Sequence, residues 1–313
     1  MLDKSLINQY YQIQTARTGR CLYPFHNCEN SPIKAHSIQN STALQLLHEK
    51  NHVLSIGSRF DKDGKPTLEY RIVGRNEAST FLGLCSTHDF ELFKAIDQGL
   101  DLVNDEHLFL LAYRSILREI HASTTALLKS QALYQERIKG GLIPGEIESV
   151  EQGPLEAAIK AYGVHLFKES VDAELGRRNF SAMRHIVVSL EKQTPTIACN
   201  HMFVPDAIGD TDDAMHLIVN VIPVTSQTTV VVFSCTSPQY EYVLQHLARC
   251  LTGDIFSRKY EISKLLLMKC ENIYISPQYF RSWTEGKKQS ILQFYGENIG
   301  KEVDADSSDY FLF

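Results

Sequence analysis

Two short clusters of metal-ligating residue types, both within the first hundred residues, constrain this chain more than any other feature. The first runs Cys21-Leu22-Tyr23-Pro24-Phe25-His26-Asn27-Cys28 and is followed by Lys34-Ala35-His36-Ser37. The second is Gly83-Leu84-Cys85-Ser86-Thr87-His88-Asp89. Zinc takes four tetrahedral sulfur and nitrogen ligands, and structural sites are closed by them. One pair from a turn and one from the start of a helix clamp a segment too irregular to have a core of its own. Cys85-x-x-His88 has the spacing of such a second pair. It opens a predicted helix with Phe90, Phe93 and Ile96 on one side. Cys21 and Cys28 make a wider first pair, in which His26 is an alternative to one cysteine. The reading is a treble-clef zinc site of Cys21, Cys28, Cys85 and His88; its alternative is three buried thiols.

The rest of the chain reads as scaffold. Asn104 is a predicted N-cap for a helix to about Lys139, ended by Gly140-Gly141 and Pro144. A second helix is expected to open at Pro154, with Leu155, Ile159, Tyr162, Leu166 and Val171 as its apolar face, giving an antiparallel hairpin. Strands are predicted at His185–Leu190, Thr196–Cys199, His216–Val224 and Thr228–Cys235, and their near-continuous apolar runs imply burial on both faces. Helices follow at about 238–251 and 254–270, then an aromatic, irregular stretch from Tyr274 to Trp283. The segment 61–66 reads as a turn between two strand-like runs. The expected fold is α+β: a zinc module over 1–100, then a domain over 101–313 of helical hairpin, antiparallel sheet and C-terminal helices.

Seven cysteines, an odd number, and no secretion-type N-terminus argue against a disulfide framework and for a cytoplasmic protein. Cys199, Cys235, Cys250 and Cys270 lie in apolar runs and read as buried thiols. No apolar run approaches the length of a membrane span. Residues 1–100 carry 11 Lys/Arg and 10 Asp/Glu, residues 101–313 carry 20 and 27. The net charge of -6 excludes a strongly basic nucleic-acid binder, and the N-terminal part is the better candidate for phosphate contact.

The order Cys…Cys, Ala35-His36, an Asn, then Leu84-Cys85-x-x-His88-Asp89 resembles the HNH endonuclease family, over about 70 residues. The resemblance implies a ββα-metal module that cleaves DNA or RNA, with roles in defence against foreign nucleic acid. It places His36 as the general base, Asp89 as a ligand of a catalytic Mg²⁺ or Mn²⁺, and Asn76 at the central Asn. Arg59, Arg71 or Arg75 would supply a cation near the scissile phosphate. The sequence departs from the family where His88 replaces a Cys and Asp89 a His. The alternative is a non-catalytic zinc module that binds nucleic acid or protein, with a protein partner or oligomer contact through 101–313. His201, Asp206, Asp210, Asp212, Asp213 and His216 bracket a loop that reads as polar surface before it reads as a metal site. Trp283 with Tyr274, Tyr279 and Phe280 reads as packing before base stacking.

Overall fold

The computed structural model describes residues 20–25, 28–60, 66–141, 148–191, 194–204, 215–298 and 310–313. The expected mixture of helix and antiparallel sheet is present. A small two-stranded sheet pairs β1 (Lys34–His36) with β4 (Thr80–Leu82). Helix α1 (Ser86–Gln98) follows β4 directly. Between β1 and β4 the chain makes a short helical stretch at 40–47. It then leaves as a hairpin of β2 (His52–Phe60) and β3 (Pro66–Gly74).

That hairpin does not stay with the zinc module. β2 pairs antiparallel with β9 (Ile273–Ile275), through Leu54 opposite Ile275 and Ser55 opposite Tyr274. The seven-stranded sheet then runs β3-β2-β9-β6-β7-β8-β5, with β5 Met183–Glu191, β6 Ile197–Phe203, β7 Leu217–Thr225 and β8 Thr228–Thr236. Residues from both sides of the expected boundary at residue 100 therefore build one sheet. Val53, Leu54 and Ile56 are buried in it.

Strand residues alternate between two cores because successive side chains point to opposite faces. Leu217, Val219, Val221, Val231, Phe233 and Cys235 pack under the C-terminal helices. Ile218, Ile222, Val230 and Val232 pack on the other side, toward α2 (Asp105–Lys139). Helix α2 starts as expected, the Asn104 side chain accepting from the N–H groups of Glu106 and His107. It pairs with α3 (Glu148–Gly176) in the expected hairpin. Pro154 lies inside α3 rather than opening it. A proline there costs the helix one hydrogen bond, and the packing of α3 along α2 carries the helix through it.

The C-terminal layer comprises α4 (Tyr240–His246), α5 (Ala248–Leu251), α6 (Ile255–Lys269), α7 (Pro277–Arg281) and α8 (Glu285–Asn298). The stretch expected to be irregular after Tyr274 thus holds β9 and α7, with α8 beyond it. Trp283 packs there among Tyr70, Tyr279 and Phe280, as a core residue. The last residues are fastened to the same layer. Leu312 is fully buried, its N–H donates to Ser263 Oγ, and Tyr310 stacks on Phe294 at 3.8 Å.

A buried polar knot joins the segment after β1 to the sheet and α2. Ser37 Oγ donates to Asn200 Oδ1 (2.9 Å), Asn200 Nδ2 to Ser115 Oγ (3.1 Å), and Ser115 Oγ to Asn220 Oδ1 (3.0 Å). Asn272 Nδ2 also donates to Asn200. Ser79 takes a left-handed backbone (φ 58°), held by its N–H on Tyr274 Oη and its carbonyl under Ser37 Oγ. The knot fixes the chain one residue beyond His36. Asn200→Leu is expected to cost about 3 kcal/mol or more, because each buried partner left unpaired costs about 1–3 kcal/mol. Urea unfolding of the two proteins measures this as a lower midpoint.

A buried histidine, His201, and a half-buried one, His185, couple stability to pH. Burial pushes His185 down to about 4 and His201 down to about 3. His201 lies 3.6 Å from Glu119 and also faces Arg118, whose charge adds to the effect. The unfolded chain binds protons at these groups from about pH 6.5 downward while the folded chain does not. Stability is therefore expected to fall as pH drops from about 6.5 toward 4, by about 1.4 kcal/mol per pH unit for each histidine at the steepest. Thermal melts across that range check it.

Candidate metal centre

The second ligand pair is set by the junction of β4 and α1. Cys85 is the N-cap residue of α1, in an extended conformation, and His88 is in its first turn. This places a sulfur and an imidazole on one side of the helix start. Gly83 is needed on the approach, since a Cβ there would stand 2.5 Å from the Phe81 ring. The first pair is brought in by backbone bonds: Leu22 N–H donates to the Gly83 carbonyl and Ile33 N–H to the Leu84 carbonyl, both at 2.9 Å.

The result is a closed cluster. The ligand atoms of Cys21, Cys28, Cys85 and His88 all lie within 4.8 Å of one another. His88 Nδ1 is 3.4 Å from the sulfurs of both Cys21 and Cys85, and Cys28 Sγ is 3.9 Å from Cys85 Sγ. A tetrahedron with Zn–S bonds of about 2.3 Å has sulfur–sulfur edges of about 3.7 Å, so the spacing suits one zinc ion. Three thiolates and one imidazole are a soft donor set that favours zinc over magnesium or calcium. The wide Cys21–Cys28 spacing is no obstacle, and His26 lies outside the described residues.

The surroundings act differently on the two buried thiols. Burial pushes the Cys21 thiol up to about 11, against the opposing Cys85 and Tyr23 backbone groups. Burial also raises Cys85, but the backbone N–H groups of His88 and Thr87 and the neighbouring thiols outweigh it, so Cys85 is lowered. Tyr23 stacks flat on the His88 ring at 3.8 Å and fixes its plane. The cluster rests on α2, where Phe109, Tyr113 and Ile116 share a core with Cys21 and Cys85. The other four cysteines are buried free thiols, as expected.

The remaining expected site residues are placed less uniformly. His36 ends β1 and takes no part in the metal cluster. Its Nε2 lies 3.3 Å from the Arg75 carbonyl. A carbonyl only accepts, so Nε2 carries the proton and Nδ1 of the neutral ring is left with the lone pair. Burial holds His36 below the usual histidine range; the Arg75 carbonyl and Glu77 oppose this, and the charges of Arg114 and Arg75 reinforce it. Asp89 is half-buried on α1, and burial raises its carboxyl against the pull of Arg114. Asn76 is exposed and accepts a bond from Asn40 Nδ2 at 3.1 Å; the carbonyl on His36 belongs to its neighbour Arg75.

One of three arginines, Arg59, Arg71 or Arg75, was expected near a phosphate. Arg71 is committed to Glu69 and the Ser58 carbonyl. The Arg59 side chain lies outside what is described. Arg75 has Nε and Nη1 buried and without hydrogen-bond partners. Arg114 was not anticipated. It is 5% exposed, grips Asp97 with two bonds of 2.8 and 2.9 Å, and stacks on Phe93. Its sequence signal is slight, an arginine on an otherwise apolar turn of α2.

The same residues test whether a second, catalytic cation fits. Among the described residues the Cys21, Cys28, Cys85 and His88 cluster is the only group of three or more His, Cys, Asp or Glu side chains that converges. His36 and Asp89 have no third ligand beside them, and the Arg114 guanidinium acts on both with a charge that opposes a divalent ion. These side chains do not by themselves make a Mg²⁺ or Mn²⁺ site. His201 lies against Glu119 and Arg118, and His216 stacks on Phe167 at 4.1 Å. Asp206, Asp210, Asp212 and Asp213 lie outside the described residues.

Among the described residues no helix is long and apolar enough to cross a membrane. No family model matches the chain, and no curated protein or solved structure is similar to it.

Proposed function

We propose that the chain is an HNH-like nuclease acting on DNA or RNA, in which a zinc clamp holds His36 as general base. The observation that carries this reading is the state of His36. It lies at the end of β1 in a ββα unit closed by the Cys/His cluster, it is outside that cluster, and it is kept neutral with Nδ1 available to take a proton. In that role His36 removes a proton from the water that attacks phosphorus. Arg75, whose carbonyl holds His36 and whose charge is felt there, is the cation nearest the base for a phosphate oxygen among those named. A cytoplasmic location, expected from the free cysteines, and a role in defence against foreign nucleic acid, by family analogy, belong to the same reading.

A second reading, a zinc module that binds nucleic acid or protein without cleaving, is favoured by one observation: the positive charge of Arg114 acts on both His36 and Asp89, which opposes a divalent cation beside them. Plasmid DNA and single-stranded RNA incubated with Mg²⁺, with Mn²⁺ and with chelator separate the two. Cleavage that His36→Ala abolishes supports the nuclease. Retarded migration without cleavage under every condition supports the binding module. Equal cleavage by both proteins removes His36 from the chemistry.

A further inference from the structure

The α2–α3 hairpin has two unlike halves. Toward the body, α2 is buried as far as Ser123 and α3 from Val164 onward. Beyond those points no described side chain of either helix is buried: residues 124–139 and 153–163 form a two-helix arm without a closed core. Two helices alone cannot surround their apolar seam, which is why bundles use three or four.

The outer side of α3 carries the missing surface. Leu155, Ile159, Tyr162 and Leu166 are 61%, 64%, 64% and 45% exposed. Their spacing of four, three and four residues keeps them on one stripe, and it is the seam spacing of a coiled coil. Val164, Phe167 and Val171, which bury α3 against the body, are out of phase with that stripe. Of the apolar face expected from the sequence, Val171 is buried and the other four residues are turned to solvent.

The stripe also mirrors itself. Read inward from its two ends, Leu155 matches Leu166, Glu156 is set against His165, small Ala158 matches small Gly163, and Ile159 matches Tyr162. A face with this order is complementary to a second copy about a two-fold axis between Ile159 and Tyr162. In that antiparallel arrangement the Glu156 end of one helix lies at the His165 end of the other, and the helix dipoles oppose. Ala158 and Gly163 beside the seam let the two backbones approach closely.

We infer that this stripe is a homodimer interface: two copies pair antiparallel through Leu155, Ile159, Tyr162 and Leu166, turning two coreless arms into a four-helix bundle. Four side chains of this size and exposure offer roughly 400 Å² per copy, about half the ~800 Å² per partner of a standard stable interface. The dimer is therefore reversible and concentration-dependent. It carries two zinc modules related by the two-fold axis.

Sedimentation velocity of the full-length, zinc-loaded chain over a range of concentrations tests this, beside Ile159→Glu/Tyr162→Glu. Both positions are exposed, so the double variant keeps its fold, which far-UV circular dichroism and zinc content verify. The expected result is a monomer–dimer equilibrium for the wild type and complete loss of dimer in the variant. A wild type that stays monomeric at the highest soluble concentration overturns the inference, even if another protein binds the stripe. So does a dimer that survives both substitutions.

Discussion

Cys85→Ser is expected to lose its zinc and to melt well below the wild type. Cys85 touches more of the centre than any other ligand: its sulfur neighbours His88 and Cys28, and its N–H donates to Cys21 Sγ at 3.2 Å. A serine oxygen is a poor zinc ligand beside two thiolates. Structural zinc binding is worth about 10–16 kcal/mol in small zinc domains, and most of it is folding free energy. The loss is expected to stay local. The seven-stranded sheet, β2 and β3 included, has its own cores on both faces, whereas the Cys21–Cys28 segment and the β4–α1 junction are held by the cluster and by contact with α2. Metal analysis after gel filtration and a thermal melt give the result. Cys199→Ser, a buried thiol remote from the centre, is the control that should keep its zinc.

His36→Ala is expected to keep its zinc and its fold while cleavage of nucleic acid falls by about 10²- to 10⁴-fold, the usual contribution of a general base. Because His36 is held below the ordinary histidine range, its neutral form persists to lower pH than that of a free histidine. Wild-type activity should therefore be retained as pH falls through about 6.5 and be lost only as it falls through the lowered value. A pH–rate profile whose acid limb lies above pH 6.5 would assign the base elsewhere. The distinction between this variant and Cys85→Ser matters: one removes chemistry from an intact module, the other removes the module.

Much of this organisation is readable in the sequence where local physics decides it. Cys85 and His88 are three residues apart at a helix start, and Asn104 caps the next helix with its own side chain; both depend on neighbours in the chain. The strands at 197–203, 217–225 and 228–236 show as apolar runs because both faces of the sheet are covered. What the sequence conceals depends on distant partners. The segment 61–66 reads as a turn between two strand-like runs, and only the short strand β9, too brief to show a period, reveals that this hairpin belongs to the large sheet. Asn76 was matched to its role by order alone, and order does not say that the excursion over 37–79 turns it toward Asn40. Arg114 comes to His36 and Asp89 from another helix, which no spacing encodes. The exposed stripe on α3 was read as a core face because periodicity reports which residues share a side, not what covers it.

The central claim is a zinc ion held by three sulfurs and one nitrogen. X-ray absorption at the zinc edge, on protein purified without chelator, reads that shell directly. The account predicts stoichiometric zinc with three sulfur neighbours at about 2.3 Å and one nitrogen at about 2.0 Å, from Cys21, Cys28, Cys85 and His88. A shell dominated by nitrogen or oxygen, or protein that folds fully with no bound zinc, would contradict it.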